Sequence, residues 1–345
     1  MQFASDNWAG ATPEITTALA ALDTGIMPAY GNDPITARAV AAFSVLFERE
    51  VEVLFTATGT ATNALALSGL SRPGGLIFAS AEAHIHMDEV GATEFQSGGM
   101  KIITLPEAGG KISPDTLAAT LTRYPDSGRF GQPVALSLTN LTELGTTYSP
   151  AETAALAAVA KARGLGVHLD GARFANAVAA TGASPADLTW KAGVDFMSFG
   201  GTKNGCWAAE AIIAFTPGLL KDMPMRRLRA GHVFSKSRFV AQQFLAYLEH
   251  GNWLRTARHA NAMADLLRTG LGPARLAWSS TGNEVFALLR TPDAARLRAA
   301  GANFYDWPAP KLALGPDQTS VRLVTSWATT PADVAAFIDG LNQAL

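Results

Sequence analysis

Short apolar runs alternate with amphipathic stretches over the first two thirds of the chain. The runs are rich in β-branched and aromatic residues, and turns containing glycine or polar residues separate them. They predict seven strands, at residues 54–55, 76–78, 102–105, 134–138, 167–169, 196–198 and 211–215. Strands that alternate with helices in this way favour an α/β fold with a mostly parallel central sheet flanked by helices.

The pattern of the last third is different. Long helical periods run to residue 249 and from 253 to 269, and they are followed by apolar runs at 285–289 and 321–324 and by a closing helix from Pro331. Such an arrangement indicates a smaller α+β carboxy-terminal domain. We therefore predict a large domain at 1–248 and a small domain at 249–345, which agrees with about two domains for a chain of 345 residues.

One helix and one loop of the large domain can be placed more closely. The apolar period at 150–163 is preceded by Ser149, a preferred N-cap residue, and begins with Pro150, which suits a first helical turn. The segment 125–133 carries the clearest irregular composition and is predicted as a loop.

Composition narrows the classes of function. A hydrophobic content of 48% supports a large core. A net charge of -2 shows no bias toward nucleic acid or anionic membranes, so a small-molecule substrate is expected. No apolar run approaches the roughly 20 residues of a membrane span, and residues 1–6 have no signal-peptide pattern. The single cysteine, Cys206, is expected to be a packed thiol in a cytoplasmic protein.

The most informative residue is Lys203. It follows the buried strand predicted at 196–198 and lies among glycines in a weakly charged stretch. A lysine held away from water there has a lowered pKa, and its free amine can attack a carbonyl. Taken alone, a loop lysine is more often simply solvated.

Two other segments change that interpretation of Lys203. Asp170 ends the predicted strand at 167–169, and catalytic groups of open α/β sheets gather at the carboxyl ends of strands. Gly59 and Thr60 follow another strand and open an apolar helix, whose free N–H groups suit a phosphate. A phosphate-binding turn, an aspartate and a lysine in this chain order are typical of one class of cofactor enzyme.

The chain resembles the low-specificity L-threonine aldolases, which are pyridoxal-phosphate enzymes of the aspartate-aminotransferase fold, also called fold type I. The resemblance covers most of the chain and rests on an ordered set of short motifs. These are FASDN at 3–7, AYGND at 29–33, GT at 59–60, AEAH at 81–84, DEVGA at 88–92, HLDGAR at 168–173 and GGTKNG at 200–205. The resemblance implies retro-aldol cleavage of L-threonine, L-allo-threonine and related β-hydroxy-α-amino acids to glycine and an aldehyde.

The resemblance also assigns roles to catalytic residues. Lys203 would hold pyridoxal phosphate as a Schiff base, and Asp170 would keep the pyridine nitrogen protonated so that the ring accepts electrons. His84 would lie over the ring and assist removal of the proton from the β-hydroxyl group. Without the motif, Asp170 could be a helix cap and His84 a structural histidine.

Further residues are assigned to binding. By resemblance, Gly59, Thr60 and Thr202 would bind the cofactor phosphate, and the basic segment 226–236 occupies the family's phosphate-side loop. Arg322 would bind the substrate carboxylate with its planar fork, since an unpaired charge in an apolar strand is costly.

Three other assignments complete the predicted binding site. Arg173 would be a second arginine on the carboxylate or cofactor side, and Ser5 would add a hydroxyl group near the carboxylate. Tyr30 belongs to a loop that in this family completes the site of a neighbouring subunit, so a homo-oligomer, either dimer or tetramer, is expected.

One position departs from the family pattern. Many threonine aldolases have a histidine that contacts the substrate hydroxyl, whereas this chain has Glu143 in that place. We predict that Glu143 contributes to the choice between threo and erythro substrates. The alternative is that Glu143 only caps the turn before Gly145.

Other functions fit parts of the sequence less well. The sequence His84-Ile85-His86-Met87-Asp88 matches the start of a metallo-β-lactamase motif, but Glu89 follows where another histidine is needed. The glycine spacing of a Rossmann motif is absent around Gly59. A non-catalytic binder would have little use for Lys203 and Asp170 together. The main alternative is another fold-type I reaction, either β-elimination or aminotransfer, and no metal is predicted.

Overall fold

The computed structural model describes residues 1–22, 25–309 and 312–343. Its strands, β1 to β10 in chain order, are Glu52–Thr56, Gly75–Ser80, Lys101–Leu105, Gln132–Thr139, Gly166–Gly171, Phe196–Gly200, Glu210–Ala214, Glu284–Arg290, Tyr305–Asp306 and Gln318–Val324. All of the predicted strands are present, although residue 215 lies just beyond β7.

The first seven strands form one sheet in the order β1-β7-β6-β5-β4-β2-β3. Neighbouring strands pair in parallel except at β7, which is antiparallel to both β1 and β6. The prediction of a mostly parallel sheet is thus confirmed. The sequence did not predict the direction of β7, which follows from the short connection at 201–209, because a parallel crossover needs a dozen or more residues.

Helices flank this sheet and extend into the carboxy-terminal third. The helices α1 to α13 are Pro13–Ala20, Pro34–Leu46, Gly59–Ser68, His84–Met87, Ala92–Gln96, Pro114–Leu121, Pro150–Ala162, Phe174–Thr181, Met223–Arg229, Arg238–Leu248, Asn252–Leu271, Thr291–Ala299 and Pro331–Asn342. The predicted cap of α7 is confirmed, since Ser149 and Glu152 bind each other's backbone N–H groups at 2.8 and 3.2 Å.

Both faces of the large sheet are buried, as parallel sheets require. Along β2, Leu76 and Phe78 belong to one apolar cluster, whereas Ile77 and Ala79 belong to the cluster on the opposite face. The first cluster continues into α2 and α10 through T-shaped aromatic pairs that fix the strand before the lysine loop. Phe43 lies 5.2 Å from Phe199 and 5.1 Å from Phe244, measured between ring centroids.

A second, antiparallel sheet has the order β8-β10-β9 and its own apolar cluster. The amino-terminal segment joins this cluster, because Phe3 packs edge-on against Phe337 and its N–H group binds the carbonyl of Asn303. The division of the chain at residue 248 stays a prediction. Within the described ranges, no helix is long and apolar enough to cross a membrane.

The parallel strands end at the same edge of the large sheet. Gly59 opens α3 after β1, and His84 opens α4 after β2. Glu143 follows β4, Asp170 lies at the end of β5, and Lys203 follows β6. The fold therefore brings residues far apart in sequence to one place, which is where open α/β sheets bind ligands.

Candidate active site

A cavity of about 340 Å³ opens at this edge. Eight of the residues singled out from the sequence line it, namely Gly59, Thr60, His84, Glu143, Asp170, Arg173, Thr202 and Lys203. Asn7, Asn63 and Glu210 line it as well, although the sequence did not indicate them. Ser5, Tyr30 and Arg322 are not among its lining residues.

Lys203 lies on a short 3-10 turn, Thr202–Asn204, that begins two residues after β6. Its amine makes no hydrogen bond or ion pair with the residues that the structure describes. Burial lowers its pKa, and the nearby Arg173 lowers it further, while Asp6, Asp170 and Glu284 act in the opposite direction. A lower pKa increases the fraction of free amine, which is the nucleophilic form.

Asp170 is buried at the end of β5. Its Oδ2 accepts a hydrogen bond from Asn63 Nδ2 at 2.7 Å, and its Oδ1 accepts one from the N–H group of Ala172 at 3.0 Å. These donors hold the carboxylate in one orientation at the cavity wall. His168, on the same strand, is a core residue, because burial lowers its pKa to about 4 and its ring contacts two serine hydroxyls.

His84 is linked to Asp170 through two residues that the sequence analysis missed. His84 Nδ1 lies 2.9 Å from Glu89 Oε1, and the same oxygen accepts a bond from Asn63 Nδ2 at 2.8 Å. The hydrogen bond with Glu89 raises the pKa of His84, although burial opposes it. Burial in turn raises the pKa of Glu89. Glu89 lies within the motif at 88–92, whereas Asn63 lies three residues after the motif at 59–60.

Glu143 reaches the cavity from the turn after β4. Its Oε1 accepts hydrogen bonds from the backbone N–H group of His84 at 2.8 Å and from Thr139 Oγ1 at 2.9 Å. Its Oε2 is buried without a partner among the described residues. Burial, followed by the charge of Asp170, raises the pKa of Glu143 to about 7. The side chain therefore contacts the start of α4 and can change its charge near neutral pH.

Two arginines surround one buried carboxylate beside the cavity. Arg173 makes two hydrogen bonds to Asp6, at 2.7 and 3.1 Å, and lies 3.4 Å from Glu284. Arg322 lies 3.7 Å from the same Glu284 oxygen and stacks over Trp307 at 4.2 Å. Neither oxygen of Glu284 has a hydrogen-bond partner among the described residues. Glu284 was also missed, because nothing in an apolar strand shows that an acid will face two arginines.

The remaining predicted binding residues lie outside this cavity. Ser5 lines a separate cavity with Trp8, and its hydroxyl accepts a bond from the N–H group of Asn7 at 3.1 Å. Tyr30 is 59% exposed and has a left-handed backbone with a φ of 61°. In the basic segment, Arg227 donates to the carbonyl of Phe55 at 3.2 Å and does not line the cavity.

The start of α3 lines the cavity with backbone N–H groups that are free to bind an anion. Thr58 caps the helix, since its hydroxyl accepts a bond from the N–H group of Ala61 at 3.2 Å. The N–H groups of Gly59 and Thr60 have no carbonyl to bind within the helix, and a Cβ on Gly59 would meet nothing within 4 Å. A ligand with a carbonyl, a basic ring nitrogen and a phosphate would match the amine, the carboxylate and this helix start.

His84 and His86 lie close together in the chain, but their side chains have different surroundings. His86 and Asp88 are exposed, whereas His84 contacts Glu89. No group of three or more His, Cys, Asp or Glu residues that could hold a metal ion occurs in the described part of the chain.

Comparison with known proteins gives consistent matches. The family described as beta-eliminating lyases matches residues 2–290. The low specificity L-threonine aldolase of Pseudomonas sp. (strain NCIMB 10558) is 40% identical over 336 residues, which is 96% of this chain and 94% of the relative. The enzyme of the same description from Pseudomonas aeruginosa is 41% identical over 331 residues, 95% of this chain and 93% of the relative.

A solved structure agrees with these relatives. The threonine aldolase of Leishmania major superposes with a TM-score of 0.92 at 29% sequence identity. The match covers 99% of this chain and 98% of that one. Fold, length and sequence therefore point to the same group of enzymes.

Proposed function

The chain belongs to the low-specificity L-threonine aldolases within the beta-eliminating lyase family, and on this basis we propose how its cavity cleaves β-hydroxy-α-amino acids. The reaction breaks the Cα–Cβ bond of L-threonine, L-allo-threonine and related substrates, and it yields glycine and an aldehyde. The observation that carries the proposal is the meeting of Lys203, Asp170 and His84 in one cavity.

Pyridoxal phosphate is the cofactor, and the cavity fits it. When bound, it supplies an electron sink for the electron pair released by bond cleavage. Lys203 would hold its carbonyl carbon, since the amine is unpartnered and has a lowered pKa. Asp170 would hold the pyridine nitrogen. The phosphate would be bound by the free N–H groups of Gly59 and Thr60 and by the hydroxyl of Thr202, which lines the same cavity.

His84 would accept the proton of the substrate β-hydroxyl group. Its Nδ1 is occupied by Glu89, so Nε2 is the ring atom that can accept a proton. Glu143 would contact the same hydroxyl group, directly or through water, because it contacts the backbone of His84 and has an unpartnered Oε2. A proton acceptor near the β-hydroxyl group is what aldol cleavage needs.

The substrate carboxylate would be bound by Arg322 and Arg173. Support comes from their shared position around Glu284 and from the Nε atom of Arg322, which is buried without a partner in the described residues. Arg322 would bind the carboxylate through two parallel hydrogen bonds from its guanidinium group. Arg173, which already binds Asp6, would add a nearby positive charge. Ser5 would assist at the amino-terminal edge of the site.

The assembly would be a homo-oligomer, either dimer or tetramer, in the cytoplasm. Tyr30 would complete the site of a neighbouring subunit, which accords with its exposed position outside its own cavity. Exposed apolar residues lie near the same edge of the sheet and would be covered in the oligomer. They include Met87 at 59%, Val90 at 99% and Phe95 at 82% exposure.

A second reaction is favoured by one observation, the match to a family that is described as beta-eliminating lyases. A β-eliminating lyase or an aminotransferase would convert the substrate to a keto acid. Phenylserine distinguishes these reactions, because aldol cleavage releases benzaldehyde and glycine. Formation of a keto acid without benzaldehyde would rule out the proposed function.

The role of Lys203 can be tested on the same preparation. Borohydride reduction should attach pyridoxal phosphate to the peptide that contains Lys203, and Lys203→Ala should lose this label. The exposed lysine variant Lys221→Ala is the matched control and should keep it. Labelling of a different lysine in the unmodified chain would refute the assignment.

A further inference from the structure

Glu89 is a buried acid beside the cavity, and its role is not explained by binding of the substrate or cofactor. It follows α4 and is 4% exposed. Its Oε1 accepts bonds from two donors, Asn63 Nδ2 at 2.8 Å and His84 Nδ1 at 2.9 Å. Its Oε2 has no partner among the described residues. An acid is costly to bury unless its hydrogen bonds are used, so its position requires a reason.

Asn63 connects Glu89 to the other acid of the site. The same Nδ2 atom donates to Asp170 Oδ2 at 2.7 Å, so one amide group bridges two carboxylates. This arrangement fixes the orientation of the amide, because the opposite orientation would place its oxygen against two acceptors. Asn63 is 2% exposed on α3 and is therefore held in place.

The contact with Glu89 determines which ring nitrogen of neutral His84 carries the proton. Ionised Glu89 can only accept hydrogen bonds, so its Oε1 accepts from both Asn63 Nδ2 and His84 Nδ1. The ring proton of neutral His84 then lies on Nδ1. Nε2 has no hydrogen-bond partner in the described residues and is left as the proton acceptor.

We propose that Glu89 is a positioning residue which, held by Asn63, fixes His84 in the Nδ1-protonated form and orients its Nε2 as the acceptor of the substrate hydroxyl proton. This inference rests on the proposed function, in which His84 takes that proton. Glu89 itself touches neither the substrate nor the bond that breaks.

The charges around His84 determine how the protein responds when Glu89 is changed. The hydrogen bond with Glu89 is the strongest influence and raises the pKa of His84, and the charge of Asp170 also raises it. Burial and the charge of Lys203 lower it, while Glu143 contacts the backbone N–H group. Removal of the Glu89 charge should therefore lower the pKa of His84 and make it a weaker base.

The first test compares Glu89→Gln with Asp88→Asn in the holoenzyme. Asp88 is the adjacent residue, is exposed, and loses the same charge in its variant. Glu89→Gln should reduce kcat for L-threonine about 10- to 100-fold with little change in KM, which is part of the ~10²–10⁴-fold contribution of a general base. The acidic limb of the kcat/KM pH profile of Glu89→Gln should move to lower pH, whereas Asp88→Asn should keep the parent profile.

The second test needs no variant of Glu89 and no turnover. Nitrogen-15 NMR of the holoenzyme, with His84 identified from its missing signal in His84→Gln, should show neutral His84 protonated at Nδ1. A proton on Nε2 would overturn the proposal, and so would an unchanged kcat and pH profile in folded Glu89→Gln. Failure of the parent enzyme to cleave L-threonine would instead overturn the proposed function, and the NMR result would remain interpretable.

Discussion

Polar and charged residues near Lys203 form two groups. One group joins Asp170, Asn63, Glu89 and His84 by hydrogen bonds, and the other joins Asp6, Arg173, Glu284 and Arg322 by ion pairs. The pKa of Lys203 responds to members of both groups. Single substitutions should therefore affect distinct steps, according to the group that they disturb.

Replacement of Asp170 tests the first group. Asp170→Asn should keep the cofactor but lose about 10²–10³-fold in kcat for L-threonine, because a neutral amide cannot keep the ring nitrogen protonated, and one preorganised electrostatic group contributes roughly 3 kcal/mol. Cofactor content by absorbance and kcat should be measured together. Turnover near that of the parent with full cofactor content would refute this role.

Replacement of Arg322 tests the second group. Arg322→Ala should weaken binding of L-threonine and of the product glycine by the same factor, since both have the carboxylate that the guanidinium would bind. Loss of a charge-assisted contact in a dry site costs roughly 2–5 kcal/mol. Dissociation constants from titration of the holoenzyme check this. An unchanged affinity for glycine would place the carboxylate at Arg173.

Glu143 should make the choice between β-epimers depend on pH. Because burial raises its pKa to about 7, the carboxyl group is neutral below that pH and charged above it. The ratio of cleavage rates for L-threonine and L-allo-threonine should change between pH 6 and pH 8.5. In Glu143→Gln the ratio should stay close to the low-pH value of the parent.

Two controls make that measurement interpretable. Glu143→His restores the residue type that many threonine aldolases have and should also alter the ratio more than it alters glycine binding. If both variants keep the parent ratio while their thermal stability falls, Glu143 only holds the start of α4.

The sequence was sufficient to indicate residues that follow strand ends within recognisable motifs. Lys203, Asp170 and His84 could be singled out for that reason, and the structure places all three at one cavity. Glu89, Asn63 and Glu284 could not, because their importance comes from partners that only the fold brings near. Asn63 and Asp170, for example, are 107 positions apart in the chain.

At the level of elements, the strands of the large sheet could be predicted from the sequence. The direction of β7 could not. Apolar runs of strand length gave the positions of β1 to β7, since burial on both faces leaves a continuous apolar signature. The antiparallel direction of β7 depends on the length of the preceding connection. The predicted loop at 125–133 ends two residues earlier than expected, because β4 begins at Gln132.

The turn that carries Glu143 depends on one glycine. Gly145 has a φ of 73°, and a Cβ there would lie 2.9 Å from Ser280 Cβ and 3.1 Å from the carbonyl oxygen of Glu284. Gly145→Ala should therefore lower the free energy of unfolding by on the order of 1–3 kcal/mol, through backbone strain and close contact with Ser280 and Glu284. Denaturant unfolding measures this loss.

Gly128→Ala is the matched control for that substitution. A Cβ on Gly128 would meet nothing within 4 Å, and this glycine has an ordinary backbone conformation. Its stability should stay within about 0.5 kcal/mol of the parent. Equal stability losses in the two variants would show that the close approach at Gly145 is not what holds the turn.

At the level of the whole molecule, the two sheets contribute different parts of the proposed site. The carboxyl edge of the large sheet supplies Lys203, Asp170, His84 and Glu143, whereas β8 and β10 supply Glu284 and Arg322. The two contributions meet at Arg173, which lies within ion-pair distance of Glu284. In the proposed site, residues of the large sheet would therefore bind the cofactor, and residues of the small sheet would bind the substrate carboxylate.

The most direct test of this account is the product balance for L-threonine with the purified holoenzyme. Glycine, acetaldehyde, 2-oxobutanoate and ammonia should be measured in the same reaction. We expect one glycine and one acetaldehyde for each L-threonine consumed, and the loss of both products in Lys203→Ala. Formation of 2-oxobutanoate and ammonia in place of glycine would contradict it and would identify the enzyme as an eliminating lyase.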